Sequence, residues 1–252
     1  MPNHMMIDIR SVNLSYGTEN EKKEILNNIS FAIKPHSTCA IIGPSGCGKS
    51  SLLFLLAGLR QPDTGTIVID GDPRCGTMLQ NYGLFPWKTV VQNIGLGLIL
   101  RKMNKEKIAE KVAVLIEEMG LTGFDDYFPS QLSGGMQQRV ALARSLAIEP
   151  EILLMDEPLS SLDALTRERL QNLFLQIHKK KQMTSVIVTH SIEEAVFLGN
   201  TIVVLSERPA RVLQIVDNPQ AGDLSYRGQE HFYKRCNMLR NLLREDDNGE
   251  KT

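Results

Sequence analysis

A chain of 252 residues, 42% hydrophobic and 23% charged, has the composition of an ordinary globular protein long enough to bury a sizeable core. Its 28 Lys plus Arg against 29 Asp plus Glu leave a formal net charge of −1, which gives no electrostatic case for a nucleic-acid partner. No apolar run approaches the roughly 20 residues of a membrane-spanning helix, so membrane contact is expected only through a partner. The first five residues lack the basic start and apolar core of a secretory signal. Cys39, Cys47, Cys75 and Cys236 form no C-x-x-C pair and read as reduced thiols of a cytosolic protein, and the five histidines are too scattered for zinc.

The predicted elements begin with strands over residues 7–14, 25–33 and 38–42, the last a short apolar run. It leads into Gly43-Pro44-Ser45-Gly46-Cys47-Gly48-Lys49-Ser50, which matches G-x-x-x-x-G-K-S/T. Glycines there let consecutive N–H groups point into one concave nest for phosphate oxygens. Lys49 adds a point charge and Ser50 a hydroxyl for Mg²⁺. The helix that opens at Ser51, over residues 51–57, turns its positive end toward the phosphates. Cys47, close to Lys49 and that helix terminus, is expected to carry a reactive thiolate.

A strand follows over residues 66–70, bracketed by Gly65 and Gly71, and from about 92 to about 147 the pattern becomes helical. Residues 108–120 carry apolar positions at helical spacing and end in Gly120. Ser133 reads as an N-cap, Gly134 and Gly135 permit close approach of a phosphate, and residues 136–148 read as helix, which makes a second anion site. Next, four apolar residues end in Asp156-Glu157. A strand buried on both faces would bring Asp156 beside the Mg²⁺ that Ser50 touches, and Glu157 to the water that attacks the terminal phosphate. Later strands are expected over 185–189, running into His190, and over 202–205 and 211–215. A final helix is expected over 230–244, and residues 245–252 read as a polar tail that frays.

The run Leu132-Ser133-Gly134-Gly135-Met136-Gln137-Gln138-Arg139 resembles the signature loop of the ATP-binding cassette (ABC) ATPases, departing from it at Met136, where glutamine is common. The resemblance implies an α/β fold: a RecA-like P-loop NTPase core with an antiparallel β subdomain and a helical subdomain inserted at about 90–147, the whole chain being one nucleotide-binding domain. It implies ATP and Mg²⁺. It also implies a homodimer or paired cassette in the ATP-bound state, in which the signature loop of one protomer closes over ATP on the phosphate loop of the other. Tyr16 resembles the aromatic that stacks on adenine, and Gln80 the mobile glutamine that contacts Mg²⁺ and water. Ser161-Leu162-Asp163 resembles the loop that crosses the dimer interface, and His190 the switch histidine on the γ-phosphate.

Residues 83–87, 189–198 and 205–212 are most similar to the importers of nitrate, sulfonate and taurine. That similarity implies an ATPase peripheral to the cytoplasmic face of the inner membrane. It would energise uptake through integral membrane permease subunits, with a solute-binding protein as an indirect partner. Phe85, Pro86 and Trp87 would receive a short helix of the permease. Two other classes stay open on the sequence. A soluble ABC ATPase of DNA repair or translation would usually bring a long coiled coil or a second cassette, and a binding module without turnover would often lack Glu157 or His190. The solute and the permease are not encoded in any residue pattern.

Overall fold

The structure, a computed structural model, describes residues 5–18, 21–160 and 162–249; Ser161 and the end of the expected polar tail, 250–252, lie outside the described residues. In chain order the elements are β1 (Ile7–Tyr16), β2 (Lys23–Ile33), β3 (Thr38–Ile42), α1 (Lys49–Leu56), β4 (Thr64–Ile69) and β5 (Cys75–Met78), then α2 (Val90–Leu100), α3 (Lys105–Glu118) and α4 (Gly134–Ala147). They continue as β6 (Ile152–Asp156), α5 (Ala164–Lys181), β7 (Thr184–Val188), α6 (Ile192–Leu198), β8 (Thr201–Leu205), β9 (Val212–Asp217) and α7 (Glu230–Gly249), with 3-10 turns at Pro129–Gln131 and Tyr226–Gly228.

The short apolar runs become the centre of a six-stranded sheet ordered β5-β6-β7-β3-β8-β9, parallel throughout except for β9, which pairs antiparallel with β8. Every residue of β3, β6 and β7 is buried, because both sheet faces are covered. The period of two divides their side chains between two cores. Cys39, Ile41, Leu154 and Val186 join α1 and the three-stranded antiparallel sheet β2-β1-β4, whereas Ala40, Ile42, Leu153 and Ile187 join the helices on the opposite face. The fold is therefore the α/β arrangement expected, with a mixed sheet and a separate antiparallel sheet.

Several element boundaries differ from the sequence expectation for identifiable reasons. The helix after the phosphate loop begins at Lys49, two residues before Ser51, since its first turn is already helical where the Lys49 side chain folds back under the loop. Strand β5 carries no alternation and contains a glycine, so it went unread. A Cβ at Gly76 would lie 2.6 Å from the Ser145 carbonyl oxygen, and only glycine lets this strand pass so close to α4. Helix α7 runs on to Gly249, so the first part of the expected tail is helical.

Residues 90–147 hold α2, α3 and α4, with α4 packed on both α2 and α3. Each helix starts on a side-chain cap: Thr89 with Gln92 in a reciprocal box, Asn104, and Ser133. The turn before α2 is wired from inside by Asn93. Its Oδ1 accepts from the Phe85 N–H at 2.9 Å while its Nδ2 donates to the carbonyls of Phe85, Lys88 and Thr89 at 3.2, 2.9 and 3.1 Å. Asn93 is fully buried. Asn93→Leu is therefore expected to lower the unfolding free energy by about 2–4 kcal/mol, since each buried polar group left unpaired costs about 1–3 kcal/mol. Urea denaturation would check this, and a loss below about 1 kcal/mol would refute the role.

Candidate functional site

The C-terminal ends of the parallel strands open into a cleft of about 680 Å³. It is lined by Ser45, Gly46, Gly48, Lys49, Ser50 and Ser51 of the phosphate loop and helix, together with Gln80, Glu157, His190 and Arg208. These residues follow β3, β5, β6, β7 and β8, five neighbours in one sheet. Gly43 leaves β3 against Leu205, and Pro44 accepts the Cys47 N–H at 3.3 Å, which turns the loop. Gly48 sits at φ 125, where a Cβ would strike Ile25 and Leu26 at 2.8 and 2.9 Å, so the loop needs glycine there. Lys49 is buried, and its ammonium donates to the carbonyls of Gly43 at 2.9 Å and Pro44 at 2.7 Å.

Of the acidic pair, Glu157 lines the cleft and Asp156 is buried next to it in sequence. Asp156 is buried, its Oδ1 has no hydrogen-bond partner, and the Ser50 hydroxyl bonds to its carboxyl. Burial pushes that carboxyl above its ordinary range and the Glu157 charge adds to this, whereas the Ser50 hydrogen bond and Lys49 act the other way. An unpartnered buried carboxylate oxygen beside a hydroxyl is a hard oxygen set of the kind Mg²⁺ takes. Among the described residues no three His, Cys, Asp or Glu side chains converge to hold a metal by themselves. Ser50, Asp156 and Gln80 thus fit a cation that completes its shell with water and phosphate oxygens.

Glu157 occupies a left-handed backbone conformation, φ 48, held by its N–H bond to the Val188 carbonyl at 2.8 Å. Its two carboxylate oxygens are both engaged. His190 Nδ1 lies 3.3 Å from Oε1, and Gln80 Nε2 donates to Oε2 at 3.1 Å.

Several supporting residues gave no sequence signal. The Thr189 hydroxyl donates to the buried Glu194 carboxylate and accepts the Ser191 N–H at 3.1 Å, and the Ser191 hydroxyl accepts the Glu194 N–H at 3.2 Å. His190 therefore stands on a turn closed from both sides. The Glu194 carboxyl is pushed up to about 7, chiefly by burial and slightly by Glu157, against the pull of the Thr189 hydrogen bond, Arg167 and His190; its Oε1 has no partner. Arg167 donates to the carbonyls of Leu159 at 3.3 Å and Leu162 at 2.7 Å and shapes the segment before Asp163. Thr189 and Glu194 lie within ordinary apolar and helical runs, so only their tertiary neighbours distinguish them.

The remaining expected residues divide between this cleft and a second surface. Tyr16 donates its hydroxyl to Ser51 at 3.3 Å, and the Arg60 guanidinium lies 3.9 Å from its ring centroid. Ser133, Gly134, Gly135 and Asp163 do not line the cleft. Ser133 caps α4 through the Met136 N–H at 3.4 Å, and Asp163 caps α5 through the Thr166 N–H at 3.0 Å, which holds its carboxyl below the usual range. The two caps adjoin, because a Cβ on Gly135 would meet the Leu162 side chain at 3.3 Å. Met136 packs half-buried against the core.

Cys47 corrects one expectation. Its backbone belongs to the loop, but its side chain is buried beneath it, so desolvation raises the thiol above its ordinary value despite the opposing charges of Lys49 and Arg208. It is no thiolate. Spacing had shown Lys49 nearby but not which way the side chain faces.

The family model for the ABC transporter matches residues 26–160. An uncharacterised ABC transporter ATP-binding protein of Methanocaldococcus jannaschii is 43% identical over 220 residues, covering 84% of this chain and 82% of the relative. The aliphatic sulfonates import ATP-binding protein of Bacillus subtilis is 42% identical over 218 residues, with 84% of each covered. The taurine import ATP-binding protein of Pelagibacter ubique is 42% identical over 216 residues, with 82% of each covered. A solved dimeric ATP-binding cassette in a post-hydrolysis state bound to ADP and Pi superposes with a TM-score of 0.76 at 31% identity, over 84% of this chain and 98% of that one.

Two outcomes are expected. A thiol reagent added to the folded protein labels Cys75, the exposed thiol, well before the buried Cys39, Cys47 and Cys236, as mass spectrometry would read; Cys47 labelled first would contradict its burial. Glu194 binds its proton more tightly folded than unfolded, so it lowers stability progressively as pH rises from its ordinary 4.5 to about 7. Glu194→Gln lacks this loss. Its melting temperature relative to the unsubstituted protein should climb between those pH values, and a constant difference would refute the linkage.

Proposed function

The chain belongs to the ABC transporter family, and on that premise we propose that it is the ATP-hydrolysing subunit of an importer for a small solute of the nitrate, sulfonate or taurine kind. It works peripherally at the cytoplasmic face of the membrane through a separate permease, which a solute-binding protein supplies. The observation that carries this reading is the convergence of the phosphate loop, Glu157 and His190 on one cleft, with Asp156 bonded to Ser50 of that loop. The sulfonate and taurine import relatives support the solute class. Among the described residues no helix is long and apolar enough to cross a membrane, which agrees with transport through another chain.

In the proposed mechanism backbone N–H groups of the phosphate loop and the Lys49 ammonium hold the triphosphate, and Tyr16 stacks on adenine. Ser50, Gln80 and Asp156 would hold Mg²⁺, which would supply neutralisation of phosphate charge. Glu157 takes a proton from the attacking water. His190, 3.3 Å away, orients that carboxylate and faces the γ-phosphate, and Gln80 fixes its other oxygen. Because Ser133, Gly134, Gly135 and Asp163 lie off this cleft, they act on the nucleotide of a second protomer; the likeness to a dimeric cassette supports that pairing.

Residues 90–147 form, in this reading, a helical subdomain of one nucleotide-binding domain that transmits dimer closure to the permease. Trp87 is 69% exposed and packs edge-on to Phe85 with centroids 5.6 Å apart, a ready seat for a helix end. Arg144 of α4 donates to the carbonyls of Tyr82 and Gly83, both at 2.6 Å, and so ties the signature helix to the segment between Gln80 and that seat.

The test is a matched set of variants. Glu157→Gln should keep ATP binding, cut turnover at least ~100-fold and accumulate an ATP-bound dimer by light scattering. Lys49→Ala should lose ATP binding by the isolated protomer, whereas Ser133→Arg should bind ATP and fail to dimerise or hydrolyse it. Turnover by Glu157→Gln within a few-fold of the unsubstituted protein would remove Glu157 as the base, and loss of monomeric ATP binding by Ser133→Arg would overturn the shared site.

A further inference from the structure

Arg208 lies on the wall of the cleft and belongs to none of the motifs that define it. It stands in the connection between β8 and β9, residues 206–211, and β8 is the strand paired directly with β3, so this connection leaves the sheet beside the phosphate loop. Adjacent strands lie about 4.8 Å apart, which a long arginine side chain easily spans. Its Nη2 donates to the Gly46 carbonyl at 2.5 Å. Its charge is felt at the Cys47 thiol beneath the loop. The contact with Gly46 uses one of the side chain's five N–H donors.

The charge balance of the cleft gives these donors a use. A nucleoside triphosphate brings several negative charges to a cleft that already carries Glu157, and among the described residues lining it Lys49 is the other Lys or Arg. We infer that Arg208 is a second phosphate-binding cation of this site, bracing the loop through Gly46 while its free donors contact the phosphates of a bound nucleoside triphosphate. The inference rests on the nucleotide reading above. Because the contact is to phosphate and not to base or ribose, it grows with phosphate number and strengthens discrimination of ATP from AMP.

Isothermal titration of the full chain with ATP, ADP and AMP, in EDTA so that turnover does not intrude, tests this with Arg208→Ala, Arg208→Gln and Lys49→Ala. Gln is included because it can still donate to Gly46 and so separates loop bracing from charge. Both Arg208 variants should weaken ATP about tenfold and ADP less, leave AMP within about twofold, and lose part of the ATP effect as KCl screens the charge. ATP affinities within about twofold of the unsubstituted protein, or AMP weakened as much as ATP, would overturn the assignment. If Lys49→Ala alone lost ATP, the nucleotide reading would stand and Arg208 would fall. If the unsubstituted protein bound no ATP, both would fall.

Discussion

Parallel pairing of β5, β6, β7, β3 and β8 is the constraint on which the rest of the site depends. Parallel strands all end at one edge, and each of these delivers a different functional group within a few residues of its end: Gln80, Glu157, His190, the phosphate loop and Arg208. No single segment of chain could hold those groups together. The hydrogen-bonded register does so, with two buried cores behind it to keep the strands from shifting.

Behind that edge, the polar groups are arranged to remain where burial is unfavourable. Asp156 and Glu194 both carry carboxyls raised by desolvation and an oxygen with no partner, yet each is anchored by a neighbouring hydroxyl, Ser50 in one case and Thr189 in the other. Glu194 organises the turn under His190, and Arg167 does the same for the backbone before Asp163 by bonding two carbonyls. A low-dielectric surrounding strengthens such contacts and makes broken ones expensive. Small displacements of the His190 turn or of the Asp163 segment are thereby coupled to the same interior.

The two anion-ready surfaces of one chain do not meet. Helix N-termini at Ser133 and Asp163 adjoin each other through Gly135 and Leu162, away from the Lys49 cleft, so a nucleotide held by both kinds of surface draws on two copies in the proposed dimer. Arg144 makes the link within the chain, since it starts on the helix capped by Ser133 and ends on the carbonyls beside Gln80. The cap at Ser133 and the glutamine at the cleft thus sit at opposite ends of one rigid connection.

The sequence by itself determined the loop Gly43–Ser50, the acids that end an apolar strand, and the cap Ser133. Each of these is a local pattern, in which neighbouring residues carry the chemistry and the period of two or 3.6 carries the element. It left β5 unread, since Gly76 serves the passage of a distant helix and not the strand's own alternation. It misjudged Cys47, because spacing reports proximity to Lys49 but not that the thiol turns into the core. Only the tertiary structure brought Arg208 to Gly46, Arg60 onto Tyr16 and Glu194 beneath His190. Arg208 and Arg60 reach their partners across strands and loops whose order in space is set by nonlocal pairing, and Glu194, though only four residues from His190, acquires its character from burial between packed elements. No window along the chain contains that information.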